Sequence, residues 1–185
     1  MTKSARNYVA LTIVVLCAIA AGMAVRFRGS LVQLGTHRVV RRATPVRRAI
    51  SGSAIENLAP LATVTVSSAR PERGGEGVAD GVVDRRDWMA EEPGTAWIRL
   101  QWERPVLVTE VDLYDLPSMV DNILRGALIF DDGMDLPVES LPPNGARWSV
   151  PIPPKVVRSL TFRIDSSEGG NPGLAEIMVM GRVNE

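Results

Sequence analysis

The feature that most constrains this chain is a series of short segments after residue 57 in which apolar residues occupy every second position. In residues 96–102, Ile98, Leu100 and Trp102 follow this rule. Alternation with a period of two is typical of a strand that is buried on one face. About eight such segments occur, at spacings of about 8–15 residues. They are residues 63–67, 96–102, 107–114, 123–130, 134–140, 147–152, 156–164 and 175–181.

The residues between these segments are typical of turns. Asp131-Asp132-Gly133 separates two of them, and glycine supplies the positive φ that a tight hairpin turn needs. Residues 141–145 form a second Pro- and Gly-containing turn. We find no convincing amphipathic helix in residues 56–185. The pattern therefore predicts an all-β fold, a sandwich or a barrel, rather than alternating strands and helices.

The net charge of zero conceals two oppositely charged parts. Residues 1–55 contain nine Lys or Arg residues and no Asp or Glu. The chain totals of 21 basic and 21 acidic residues then leave 12 basic and 21 acidic residues for 56–185, a net charge of −9. A basic arm therefore precedes an acidic body. Nucleic-acid binding requires Lys and Arg on one face, so we expect no nucleic-acid partner for the body.

The N-terminal residues predict export or membrane attachment. Residues 8–25 are almost wholly apolar and follow Lys3 and Arg6. They fit a signal peptide with small residues near Ala18, and they also fit a hydrophobic helix that stays as a transmembrane anchor. Basic residues after this segment favour a cytoplasmic body, but long domains are translocated largely regardless of charge. We expect a membrane-anchored or secreted protein with an extracytoplasmic body.

These observations predict three parts. Residues 1–25 are the signal peptide or anchor, residues 26–55 are a flexible Arg-rich linker, and residues 56–182 are the β domain. The single cysteine, Cys17, excludes an intrachain disulfide. The β domain must therefore be stabilised by its hydrophobic core, for which about 125 residues suffice.

Residues 77–88 do not fit a strand or a helix. They contain three aspartates, two arginines and two glycines, and they end at Trp88. Asp and Gly disfavour both kinds of regular structure. We therefore expect a structured loop at the rim of the sandwich.

The order of the motifs resembles the discoidin domains, also called coagulation factor five/eight type C domains, of the galactose-binding-like superfamily. The resemblance covers nearly all of the β domain. It rests on residues 57–59 (Asn-Leu-Ala), 79–81 (Ala-Asp-Gly) followed by Trp88, 97–100 (Trp-Ile-Arg-Leu), 108–114, 130–133 and 173–181. It implies an antiparallel jelly-roll β-sandwich of about eight strands, with ligand-binding loops at one end and often a structural calcium ion.

The resemblance also implies a calcium site. The positions that bind calcium in such domains are Asp80 and Glu176 here, and Asp84 can add a carboxylate. Calcium binds six to eight oxygen ligands, which carboxylates and loop carbonyls supply. This chain has Arg85 and Arg86 where the family usually has a threonine. Either arginine can instead pair with the carboxylates and replace the metal.

The ligand-binding groups are expected on the loops. The candidates are Arg70, Arg73, Arg85, Arg86, Asn122 and Trp148. The resemblance implies that Trp88 and Trp97 pack in the core, where large aromatic side chains most often lie. Of the four tryptophans, Trp148 is the one expected at the surface.

Catalysis is not expected from this sequence. Residues 56–185 contain no histidine and no cysteine, and no Gly-rich phosphate loop precedes a helix. The leading hypothesis is a non-catalytic, envelope-associated module that binds carbohydrate through its loops. The alternative is a protein-interaction or scaffolding module that binds an envelope protein at the membrane without affinity for sugar.

Overall fold

The computed structural model describes residues 38–41, 54–83, 87–91, 94 and 96–184. The predicted hydrophobic segment 8–25 lies outside these residues, as do Asp84, Arg85 and Arg86. Within these ranges, no helix has the length and apolar character needed to cross a bilayer.

The described residues form nine strands and a single 3₁₀ turn at Ala59–Leu61. The all-β prediction is confirmed, and no α-helix occurs in this part of the chain. The strands are β1 (Arg38–Arg41), β2 (Glu56–Asn57), β3 (Thr63–Val66), β4 (Trp88–Met89), β5 (Trp97–Asp115), β6 (Ile123–Phe130), β7 (Asp135–Val138), β8 (Arg147–Ser167) and β9 (Gly173–Val183).

The strands form a sandwich-like, wholly antiparallel sheet that is continuous through two long strands, β5 and β8. In the first layer the order is β1-β3-β5-β8-β6-β7. In the second layer, the later half of β5 pairs with β9 on one side and with the beginning of β8 on the other. The short strands β2 and β4 pair with the outer edge of β9. The prediction of an antiparallel, sandwich-like all-β fold is thus confirmed.

The long strands correct the predicted boundaries. The segments 96–102 and 107–114 are one strand, β5, and 147–152 and 156–164 both belong to β8. The register of β5 shifts between Gln101 and Val106, so Pro105 lies at an irregularity of the strand and not in a separate turn. Bulges and edges are the places where a sheet accepts proline. A bulge lets the strand bend between the layers while the pairing with β8 resumes.

The edge strand β1 comes from the segment that the sequence predicts to be a linker. It pairs with β3 over Arg38↔Val66, Val39↔Thr65 and Arg41↔Val64. Its Val40 packs against the core. Two adjacent β-branched residues favour a strand where a hydrophobic edge is available, which the linker composition alone does not reveal.

The core lies between the two layers and is built from the alternating positions. Ile98, Leu100 and Phe162 come from the first layer, and Leu113 and Ile177 from the second; all five are fully buried. Trp88 is also fully buried, as predicted. Trp97 is only half-buried, so its assignment to the core is wrong. The two-residue period gives the core positions to Ile98 and Leu100 and turns Trp97 to the other face.

Candidate ligand-binding end of the sandwich

Several connecting segments meet at one end of the sandwich. The amide of Ala90 donates to the carbonyl of Pro172 at 2.8 Å, and the amide of Glu168 donates to the carbonyl of Asn122 at 2.8 Å. The amide of Glu91 donates to Oγ of Ser68 at 3.1 Å. These bonds join the segments 67–73, 87–91, 116–122 and 168–172 into one rim. We call this the loop end of the sandwich.

The opposite end is made of tight connections. The amide of Arg158 donates to Oδ2 of Asp131 at 2.7 Å, and its guanidinium Nη1 donates to the carbonyl of Glu103 at 3.2 Å. Lys155 pairs with Asp132. The loop end therefore has the longer connecting segments, which are the usual places for binding residues.

The described part of the stretch 77–88 lies against β9. The amide of Ile177 donates to the carbonyl of Val78 at 2.8 Å, and the amide of Gly81 donates to Oε1 of Glu176 at 3.0 Å. Gly81 has a φ of 89°, which favours glycine. Glu176 is fully buried beneath this loop. This hydrogen bond holds the loop on the sheet, because breaking it would take one donor away from a buried carboxylate.

The described residues hold only part of the predicted calcium site. Oδ1 of Asp80 accepts the amide of Val82 at 2.9 Å, and Oε1 of Glu176 accepts the amide of Gly81. Within the described ranges, no three His, Cys, Asp or Glu residues form a group that can hold a metal ion. These residues alone do not fit a calcium ion. The calcium prediction thus depends on Asp84, and the alternative depends on Arg85 and Arg86, which all lie outside the described residues.

Of the predicted ligand-binding arginines, the structure describes two. Arg73 forms an ion pair with Asp87, whose side chain is buried. The indole of the adjacent Trp88 donates to the carbonyl of Ser68 at 2.8 Å. The ion pair between Arg73 and Asp87 thus stabilises the rim next to Trp88. Arg70 is exposed, and its amide donates to the carbonyl of Met89 at 3.0 Å.

Asp115, which the sequence analysis did not single out, fixes both ends of the loop 116–122. It is fully buried at the end of β5. Its Oδ1 accepts the amide of Leu116 at 2.8 Å and its Oδ2 accepts the amide of Ile123 at 2.9 Å. Burial raises the pKa of Asp115 to about 6, and the two amide donors oppose this rise. An aspartate directly after an apolar strand and before Leu-Pro is a sequence signal for such a loop anchor.

Asn122 ends the same loop and is 8% exposed. Its Nδ2 donates to Oε2 of Glu168 at 3.2 Å. Next to it, Nδ2 of Asn171 donates to Oδ1 of Asp121 at 3.3 Å. The sequence analysis named Asn122 but not its chain neighbour Asp121, nor Glu168 and Asn171, which come from a distant part of the chain.

Trp148 lies near the start of β8 and is 37% exposed. It is paired with Leu113 across the sheet. The preceding turn lies at the loop end, because a Cβ added to Gly145 would stand 3.3 Å from the carbonyl oxygen of Asp115. Trp148 is therefore a partly exposed aromatic side chain in reach of solvent near this end.

A polar group that the sequence analysis missed lies on the outer face of the second layer. The guanidinium of Arg147 pairs with Glu110 at 3.3 Å and with Asp112 at 3.2 Å. Asp112 also accepts the hydroxyl of Ser149. Burial and the charge of Asp112 raise the pKa of the neighbouring Tyr114 hydroxyl, while Arg147 lowers it. The group is internally satisfied, which is typical of a structural network.

The described strands have the fold of the galactose-binding-like sandwiches, a fold that the discoidin domains share. The resemblance inferred from the sequence is thus confirmed. The chain belongs to the family described as "Domain of unknown function (DUF7402)", whose model matches residues 57–180. No curated protein matches the sequence.

Solved structures with the same fold include three sugar-binding proteins. One is the family 32 carbohydrate-binding module of NanJ from C. perfringens in complex with galactose, with a TM-score of 0.58 and 14% identity over 69% of this chain and 99% of the module. Another is a fucose binding module of Streptococcus pneumoniae, SpX-3, with a TM-score of 0.57 and 15% identity over 67% of this chain and 96% of the module.

The third is a fucolectin from striped bass, Morone saxatilis, with a TM-score of 0.62 and 19% identity. The match covers 70% of this chain and 48% of the lectin, so this chain spans about half of that protein. The TM-scores show a shared fold, and at identities this low the likeness extends to the fold alone.

Proposed function

We propose that the protein is a non-catalytic carbohydrate-binding module whose ligand binds at the loop end of the sandwich. The observation that carries the proposal is the rim itself, where Asn122, Asp121, Glu168 and Asn171 meet between two loops. Structures of the same fold include one in complex with galactose. Fold alone does not establish function, so the polar rim is the necessary second argument.

The chemistry of the rim suits a sugar. Carboxylates and carboxamides form hydrogen bonds with hydroxyl groups, which both donate and accept. A partly exposed indole, such as that of Trp148, can cover the apolar face of a sugar ring. The residues 56–185 offer no histidine or cysteine for acid–base or nucleophilic chemistry. Binding without turnover is therefore the activity we infer.

A glycan array probed with the full chain tests this function. We expect saturable binding to a subset of glycans, and we expect Trp148→Ala to weaken it about five- to tenfold through loss of the aromatic surface. The control is Val156→Ala, a more exposed apolar position further along β8. Absence of binding to every glycan would contradict the proposal.

A protein-interaction module at the membrane is the second candidate, and one observation favours it. Met119 is 92% exposed and Val120 is 65% exposed at the tip of the loop 116–122. An exposed apolar pair on an anchored loop is a plausible contact for a protein partner. A stoichiometric envelope protein that co-purifies with the wild type, but not with Met119→Ser, would favour this candidate over carbohydrate binding.

We further propose that residues 8–25 attach the protein to a membrane or direct its export, with the β domain on the extracytoplasmic side. Support for attachment or export comes from the apolar composition of this segment and from Lys3 and Arg6 before it, and a long domain after it can be translocated regardless of charge. Fractionation combined with protease access to intact cells tests this location. Protease is added to cells whose outer layers have been made permeable. A β domain that stays intact under this treatment would contradict an extracytoplasmic location.

A further inference from the structure

Four polar residues face each other between the loops 116–122 and 168–172: Asp121, Asn122, Glu168 and Asn171. We call them the Asn122 cluster. The two carboxamides donate to the two carboxylates, Asn122 to Glu168 at 3.2 Å and Asn171 to Asp121 at 3.3 Å. The amide of Glu168 also donates to the carbonyl of Asn122 at 2.8 Å. Polar groups of the side chains and the backbone thus join the two loops.

One atom of this cluster is not satisfied. Asn122 is 8% exposed, and its Oδ1 is buried without a hydrogen-bond donor among the described residues. The orientation of the carboxamide follows from Glu168, because the Nδ2 group and not Oδ1 must face a carboxylate. A buried acceptor without a donor is unfavourable, because it has lost its hydrogen bonds to water and gained none in the protein. The cluster therefore has an unused acceptor for a ligand that donates a hydrogen bond.

The charge of the cluster restricts that ligand. Within the described ranges, neither Asp121 nor Glu168 forms an ion pair with a Lys or Arg residue. The whole of residues 56–185 carries a net charge of −9. An anionic ligand would be repelled both by the cluster and by the domain around it.

Glu168 can give access to Asn122. Its side chain is exposed, and it is followed by Gly169, which has a φ of 66°, and by Gly170. Movement of Glu168 away from Asn122 would free the Nδ2 donor beside the Oδ1 acceptor. A carboxamide with both groups free matches a sugar hydroxyl, which donates and accepts at the same time.

From these observations we propose that the Asn122 cluster is a specificity-determining subsite that selects neutral glycans and rejects acidic ones. The proposal rests on the carbohydrate-binding function proposed above and adds the class of ligand. Asn122 contacts a sugar hydroxyl, while Asp121 and Glu168 exclude carboxylated sugars by charge.

The test uses the full chain and matched pairs of ligands: methyl glycosides of galactose and glucose, and of galacturonate and glucuronate. Titration calorimetry at low salt should give affinities at least tenfold higher for the neutral sugar that binds than for its uronate, a ratio that salt reduces. Asn122→Ala should weaken neutral-sugar binding about tenfold. The control Asn144→Ala, an exposed turn asparagine, should leave it unchanged.

Glu168→Gln keeps the size of the side chain and removes one charge, so it tests the charge argument even if Asn122→Ala fails to fold. We expect it to bring the uronate affinity closer to that of the neutral sugar. Equal or tighter uronate binding by the wild type would overturn the proposal, and so would an unchanged preference in both variants. Sugar binding without this preference leaves the general function standing, whereas silence toward all glycans on an array contradicts both.

Discussion

At the scale of single residues, two buried carboxylates hold the loops that form the candidate site. Glu176 accepts the amide of Gly81, and Asp115 accepts the amides of Leu116 and Ile123. Burying a charge is unfavourable unless hydrogen bonds compensate it. Asp115 is thus fixed to both ends of the loop 116–122, and Glu176, within β9, is fixed to the loop that contains Gly81, which explains acidic residues at buried positions of this domain.

The raised pKa of Asp115 makes the stability of the domain depend on pH. A carboxyl whose folded-state pKa lies near 6, above the value of 3.8 it has when exposed, stabilises the fold fully only below the lower value. Its contribution is lost as the pH rises through about 6. We therefore expect the unfolding free energy of the wild type, minus that of Asp115→Asn, to fall between pH 4 and about pH 7. Urea unfolding across this range measures it, and a difference that stays flat or rises with pH would contradict the assignment.

At the scale of elements, the alternating pattern predicted which residues are extended. It did not predict that two neighbouring segments belong to one continuous strand. The segments on both sides of Pro105 have strand patterns, and the prediction separated them because proline usually ends pairing. The structure instead has a register shift in β5. A bulge depends on how the partner strand resumes pairing, which the local pattern does not contain. The very short strands β2 and β4 escape prediction because two residues do not show a period.

The same limit applies to the candidate site. Asn122 could be named from the sequence because it is a polar residue in a loop. Its partner Glu168 lies 46 residues further along the chain and is brought to it by the pairing of β6 with β8. The burial of Asn122, which leaves its Oδ1 without a donor, follows from the packing of both loops. Several polar loop residues look equally exposed in the sequence. Tertiary structure determines which of them come together to form a site.

The strand β9 makes close backbone contacts with neighbouring strands at Gly173 and Gly181. A Cβ at Gly181 would lie 2.0 Å from the carbonyl oxygen of Leu107 on β5. We expect Gly181→Ala to destabilise the domain by about 1–3 kcal/mol or more through overpacking of the β5–β9 pair. Thermal or urea unfolding measures this. The control is Gly170→Ala, where a Cβ meets nothing within 4 Å, and an equal loss in both variants would argue against the pairing.

The loop 77–88 carries the prediction of a structural calcium ion at Asp80, Asp84 and Glu176. An ion that binds only the folded state raises the melting temperature by mass action. If calcium completes this site, the full chain should melt several degrees higher in millimolar calcium than in chelator, and Asp84→Asn should remove the difference. Equal melting temperatures in calcium and chelator would contradict the calcium prediction.

At the scale of the whole molecule, only one of the two ends of the sandwich has the longer polar loops that a binding module uses to contact its ligand. One end has tight turns closed by ion pairs such as that of Lys155 with Asp132. The other end has longer loops joined by carboxylates and carboxamides. The body around them is strongly acidic, while the basic residues before it lie in a separate part of the sequence. A neutral ligand at the loop end is consistent with this distribution of charge.

The most direct test is a crystal structure of the protein with the neutral glycan that binds most tightly. We predict that the sugar lies between the loops 116–122 and 168–172, with a hydroxyl group within hydrogen-bond distance of the Asn122 carboxamide and Glu168 moved away from it. A glycan bound at the opposite end, or on the outer face of either layer, would contradict this account.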